Sequence, residues 1–205
     1  KSFLINNDKI FKMKNIEKFI EQNSNSYIRK SLDSFIFDES VKNQIIKISV
    51  LSIEALLNHN KLMFCGNGGS ASDSNHLAAE LVGKFYQDRK PLNAVSLTAN
   101  TSTITAIAND FGFENIFSRQ INGLGHEGDI LFALSTSGNS ENIINAIKIA
   151  NSKKIKTILL TGKNDSKSSE ISNYSIKVNS DFPGIIQQSH IAVGQLICWN
   201  IDQYF

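Results

Sequence analysis

Five short apolar runs, each followed by a helix-patterned segment, set the strongest limit on how this chain can fold. The runs are Lys61–Cys65, Ala94–Leu97, Ile130–Leu134, Thr157–Leu160 and Tyr174–Val178. Helical patterns fill about 70–85, 101–109, 113–124, 140–152 and 166–172, and a last one covers about 184–203. The runs are continuously apolar instead of alternating, so both faces of each strand need cover. Strands of this kind separated by helices pair in parallel through right-handed crossovers. The expected fold class is therefore α/β, with a central five-stranded parallel sheet. Ligands bind such sheets beyond the carboxyl ends of the strands, where the winding direction changes.

Before the first strand, residues 14–60 read as helices. Ile16, Phe19 and Ile20, then Ile28, Leu32 and Ile36, then Val41, Ile45, Ile48 and Leu56 recur at helical spacing. Residues 1–60 are thus expected to form a helical segment that covers a sheet edge or another subunit, and residues 61–205 a single structural unit. Met13 offers an internal start, which would leave residues 1–12 outside the fold.

The length of 205 residues suffices for one domain with a real core. A net charge of +2 with no basic block argues against a nucleic-acid or acidic-membrane partner. No apolar run approaches ~20 residues, so no transmembrane helix is expected, and no signal peptide is visible. The two cysteines, Cys65 and Cys198, make no disulfide framework and fit a reducing compartment. By default the chain is expected in the cytoplasm.

Two loops carry most of the chemistry. The turn Gly66-Asn67-Gly68-Gly69-Ser70 follows a strand and opens a helix. Glycines let a ligand approach the backbone, and a helix N-terminus offers free N–H groups with partial positive charge. The turn matches neither a P-loop nor G-x-G-x-x-G. It suits an anionic, polyhydroxylated ligand, or a tight turn capped by Ser70. The second loop, Ser135-Thr136-Ser137-Gly138-Asn139-Ser140, carries four hydroxyls before another helix. One hydroxyl would serve as an N-cap; four point to a phosphate cradle.

His76 and Glu80 are spaced i,i+4 on the helix after the glycine turn, about 40° apart around its axis. They can share a metal ion or a proton, or pair structurally. Asn109 and Asp110 either form a turn or present an amide and a carboxylate to sugar hydroxyls. Lys84, Arg89, Arg119 and Lys163 are candidate anion partners or solvated surface. On the last helix Gln187, His190, Ile191 and Gly194 share a face, with Gln195 at its margin.

Taken in order, CGNGGSASDSNHLAAELVGKF (65–85), AIANDFGFENIFSRQ (106–120), GDILFALSTSGNSENI (128–143), LLTGK (159–163) and IIQQSHIAVGQLIC (185–198) resemble the sugar isomerase (SIS) domain family, and within it the phosphoheptose isomerase group. The resemblance implies a three-layer αβα sandwich, homotetramers, and an aldose–ketose isomerase acting on sedoheptulose 7-phosphate, a phosphorylated seven-carbon sugar, for heptose supply to lipopolysaccharide or capsule. It implies sugar contacts at Asn67, Gly68, Gly69 and Ser70, phosphate contacts at Ser135, Thr136, Ser137 and Ser140, and substrate contacts at Asn109, Asp110 and Gln187, with the first two serving their own or a neighbouring subunit. Zinc, one per subunit, would sit on His76, Glu80, Gln187 and Gln195, with Glu80 also the catalytic base. At Gln195 the family usually has a histidine that serves as zinc ligand and acid. An amide can bind a metal but cannot act as a general acid near neutrality, so His190 becomes the candidate acid if the helix turns it inward. The rival implications are a non-catalytic family member that binds the replication initiator, and an isomerase or lyase for another phosphosugar.

Overall fold

The computed structural model describes residues 18, 20–22, 24–30, 32–33 and 39–205. The readings at Met13, Ile16, Phe19 and Ile36 lie outside the described residues. The chain divides into two units, residues 1–36 and residues 37–205. In the first unit the described residues are all helical. The second unit begins with helix α1 (Glu39–Leu57), which buries Ile45, Ile48, Ala55 and Leu56 in the same core cluster as the sheet. The buried stripe of α1 is thus packed on the core that it shares with the sheet.

The strands β1 (Leu62–Gly66), β2 (Ala94–Ser96), β3 (Ile130–Ser135), β4 (Lys156–Gly162) and β5 (Tyr174–Val178) form one sheet in the order β2-β1-β3-β4-β5. Every pairing is parallel, with Leu62 opposite Ala94 and Ile130, Ile130 opposite Lys156, and Ile158 opposite Tyr174. Each strand lies within two residues of its apolar run at either end.

Successive side chains leave opposite faces of the sheet. Leu62, Phe64, Ile130, Phe132, Leu134, Ile158 and Leu160 point to one face and meet α1, α2 (Gly69–Val82) and α7 (Pro183–Tyr204). Phe64 and Phe132 stack there with ring centroids 5.0 Å apart. Met63, Cys65, Leu131, Ala133 and Leu159 point to the other face, towards α4 (Ser118–Leu124) and α5 (Glu141–Ser152). Two covered faces explain why the strands read as unbroken apolar runs, and they give the three layers of an αβα sandwich.

Three helices depart from expectation. The last turn expected of α2 is absent, because the chain stops at Gly83, whose N–H closes on the Ala79 carbonyl at 2.8 Å. α3 (Thr101–Phe111) runs one turn-fraction further than expected. The span 113–124 breaks into a 3-10 turn at Phe113–Asn115 and then α4, with Ile116 and Phe117 driven into the core at the break. The short helix α6 (Lys167–Ile171) is closed by a capping box between Ser166 and Ser169. Among the described residues, no helix is long and apolar enough to cross a membrane. Cys65 and Cys198 are both buried and free, and burial pushes both thiols up, Cys198 to about 12.

Candidate active site

From β1 the chain crosses to β2 on one side, while from β3 it crosses to β4 on the other. The sheet therefore changes winding direction between β1 and β3, and the glycine turn and the serine loop both leave the sheet there. A reciprocal amide pair locks them together. Asn67 Nδ2 donates to Asn142 Oδ1, and Asn142 Nδ2 donates to Asn67 Oδ1, both at 2.9 Å. Asn142 lies in the first turn of α5 and is buried. The pair spends much of the Asn67 side chain on this link, so the turn is left to meet a ligand mainly through its backbone.

The capping alternatives for both loops fail. No side chain caps α2, and buried Ser70 offers its carbonyl to the Ser74 hydroxyl at 2.8 Å. At the serine loop, Ser140 occupies the N-cap of α5 with extended backbone, but its hydroxyl caps nothing. Ser135 Oγ accepts from the Gly138 N–H at 3.1 Å, and Ser137 Oγ from the Asn139 N–H at 3.2 Å. Hydroxyls that accept from their own loop keep their O–H free to donate to an anion. Gly138 makes the bend at φ +64°, and a β-carbon there would come within 2.0 Å of Ser166 Oγ. The Thr136 carbonyl accepts from Gly162 N–H at 3.1 Å, which anchors the loop to the end of β4. Thr136 and Ser137 line a cleft that continues past Lys163, Asp181 and Pro183 at the start of α7.

α2 carries the titratable groups. His76 Nε2 and Glu80 Oε1 lie 2.8 Å apart, with the Glu80 side chain 17% exposed and His76 half exposed. One turn earlier Asp73 presents a carboxylate whose Oδ2 is buried without a hydrogen-bond partner. Burial raises its pKa, and the nearby His76 opposes that rise. The Asp73, His76, Glu80 spacing shows on a helical wheel, yet Asp73 was not among the expected site residues. α7 runs alongside α2. Gln187 sits against the glycine turn, so that a β-carbon at Gly69 would come within 2.6 Å of Gln187 Oε1. One residue before half-buried Gln195, Gly194 leaves the space that Leu77 fills.

As to a metal, His76 and Glu80 already converge, so one ion can take the place of the shared proton. Among the described residues no group of three or more His, Cys, Asp or Glu is arranged around an ion. The amide oxygens of Gln187 and Gln195, on neighbouring α7, are donors of a kind compatible with a borderline divalent ion.

His190 does turn inward. It is fully buried, and neither ring nitrogen has a partner at full hydrogen-bond geometry, the Thr161 backbone offering at most a weak one. Burial lowers its pKa to about 4, opposed only in part by the Thr161 backbone. At pH 7 the ring is held neutral, with a single N–H, and it is sealed from solvent. Asn109 and Asp110 are exposed and bonded to each other at 2.7 Å. Asp110 lines a groove with Val95, Thr103, Phe111 and Arg119, and the glycine turn and serine loop take no part in it. Of the four candidate cations, Arg119 stacks 3.5 Å from the Phe111 ring, Lys163 pairs with Asp181, Lys84 is exposed, and Arg89 is buried with Asp202.

A model of the SIS domain matches residues 25–162. The chain is 45% identical to the phosphoheptose isomerase of Akkermansia muciniphila over 86% of its own length and 96% of the relative's. It is likewise 45% identical to that of Rhodospirillum rubrum, over 89% and 97%. The solved phosphoheptose isomerase of Neisseria gonorrhoeae superposes with a TM-score of 0.82 at 34% identity, covering 92% of this chain and 99% of that one. That of Francisella tularensis gives 0.83 at 34% identity, covering 89% and 97%.

The buried imidazole makes folding pH-dependent. His190 takes up a proton near pH 6.5 when unfolded but only near 4 when folded, so its contribution is complete above pH 6.5 and lost as pH falls towards 4. The loss is about 3 kcal/mol over that window, at roughly 1.4 kcal/mol per pH unit. His190→Leu, close in volume, should flatten this stretch of the stability curve in urea unfolding. An unchanged slope would contradict a neutral buried ring.

Proposed function

Because the chain belongs to the SIS-domain family, in its phosphoheptose isomerase group, we propose that it interconverts sedoheptulose 7-phosphate and D-glycero-D-manno-heptose 7-phosphate. The observation that carries this reading is a hydroxyl-rich loop and a glycine turn joined at one switch point, with the His76–Glu80 pair on the helix that the turn opens. In the proposed reaction the phosphate docks on Ser135, Thr136, Ser137 and Ser140. Backbone N–H groups at Gly68 and Gly69 face the sugar, beside Asn67, while the Ser70 N–H is given to the Asn67 carbonyl at 3.0 Å. Gln187, against Gly69, meets the reacting end.

Glu80 takes a proton from C1 of the ketose as the C2 carbonyl becomes a hydroxyl, giving an enediol. Glu80 then returns that proton to C2 while the C1 hydroxyl becomes the aldehyde. His76, hydrogen-bonded to Glu80, orients the carboxylate. Gln195 cannot exchange protons with the oxygens near neutrality, so water or a substrate hydroxyl carries them. We propose zinc as the ion held by His76, Glu80, Gln187 and Gln195; when bound it supplies Lewis-acid stabilisation of developing oxygen charge. The product would supply heptose for lipopolysaccharide or capsule.

We also propose that the chain works as a homotetramer. Ile46, Val50 and Leu57 on α1, and Leu196 on α7, are large, apolar and exposed in a single chain. Ile45, Ile46, Leu196 and Asn200 line one cavity between these helices. Assembly would cover this face and bring Asn109 and Asp110 to a neighbour's site. Sedimentation should give a tetrameric mass, and a monomer at micromolar concentration would remove this assignment.

Glu80→Gln should abolish isomerisation, by at least about 100-fold in kcat, while the protein still binds sedoheptulose 7-phosphate. Near-normal turnover would show that Glu80 is not the base. Zinc titrated into metal-stripped protein should fill one site per chain, lost in His76→Ala; no binding by the unaltered protein would remove zinc from the reading.

A further inference from the structure

Glu80 stands in the last turn of α2, which ends at Val82. The final carbonyls of a helix lack intrahelical partners and such turns fray. A base placed there needs something to hold it, and the structure supplies a buried guanidinium. Arg89 Nη2 donates to the Glu80 carbonyl at 2.9 Å, and Nη1 to the Leu81 carbonyl at 2.9 Å. Weaker bonds from Nη1 reach the carbonyls of Lys90 at 3.2 Å and Gly83 at 3.4 Å. Nε donates to Asp202 Oδ1 at 2.9 Å, and the second oxygen of Asp202 accepts from Gln87 N–H at 2.9 Å. The two side chains are 2% and 0% exposed.

Asp202 belongs to α7, the helix that carries Gln187 and Gln195. One guanidinium thus joins the main chain of Glu80 to the helix that faces it. Its position also suits the negative end of the α2 dipole. Asp202, by contrast, lies near the carboxyl end of α7, where a carboxylate is disfavoured, and its place is explained by Arg89. The loop between them is pressed onto the same helix, with Tyr86 and Phe85 packed against Trp199 at 5.1 and 6.4 Å. A lysine cannot replace this fork, because one ammonium cannot reach a carboxylate and several carbonyls in fixed directions.

We propose that Arg89, held by Asp202, is a positioning residue for Glu80: it fixes the carboxylate relative to the amides of α7 and so sets the rate of proton transfer without touching substrate. This rests on Glu80 as the base. A buried ion pair is weak evidence for stability in itself. What singles this one out is that its donors end on the carbonyl of the reacting residue.

The test compares kcat and KM for sedoheptulose 7-phosphate in Arg89→Lys, Asp202→Asn, Glu80→Gln and the Arg89→Lys/Glu80→Gln double variant, with folding followed by circular dichroism. Arg89→Lys and Asp202→Asn should lower kcat about 10- to 100-fold, the scale of a misplacement near 1 Å, with KM within about threefold. In the Glu80→Gln background Arg89→Lys should cause no further loss, because the group it positions is gone. Folded single variants with unchanged kcat, a rise in KM at constant kcat, or losses that multiply in the double variant would each overturn the proposal. So would the unfolding of both single variants, which would make the pair a structural brace. Normal turnover in Glu80→Gln would instead overturn the assignment of the base, whatever the Arg89 variants do.

Discussion

Two helix N-termini lie side by side in this molecule because β1 and β3 are neighbours whose crossovers leave in opposite directions. α2 then covers one face of the sheet and α5 the other. The gap between their starts cannot be closed by either crossover. Each start adds unpaired N–H groups and partial positive charge. The Asn67–Asn142 pair fixes the width of that gap with two hydrogen bonds across 75 residues of sequence. The serine loop and the glycine turn both inherit their positions from this arrangement.

The last helix completes the site from one side. It follows α2 from the glycine turn, where Gln187 meets Gly69, past Leu77 opposite Gly194, to Arg89 and Asp202 at the far end. Close approach of the two helices needs the missing side chain of Gly194. The approach sets Gln187 against the start of α2 and Cys198 against the Leu77 carbonyl.

The five-stranded parallel sheet and the two strand-to-helix turns were legible in the sequence because they rest on local signals. Unbroken apolar runs mark strands covered on both faces, and Gly66–Ser70 and Ser135–Ser140 mark strand-to-helix turns rich in donors. Helix ends were less legible. The α2 stop at Gly83 and the break at Ile116–Phe117 depend on which residues the tertiary core takes in. Pairings distant in sequence left no local trace: Arg89 read as one basic residue among four, yet it is buried 113 residues from its partner. His190 shares a helical face with Gln187, but only packing shows that it is sealed from solvent and neutral. The carbon chain of the sugar leaves no signature in either loop, since phosphate and hydroxyl recognition are common to many phosphosugars.

In the proposed mechanism Glu80 moves a single proton between adjacent carbons of a phosphorylated ketose. The most direct test is proton NMR of sedoheptulose 7-phosphate incubated with the protein in deuterium oxide. The account predicts an aldoheptose 7-phosphate with deuterium at C2, from exchange of the carboxylate-held proton with solvent, or a fraction of unlabelled C2 where transfer outruns exchange, and neither product nor exchange at C1 with Glu80→Gln. Unchanged substrate with no C1 exchange from the folded, zinc-supplied protein would contradict it.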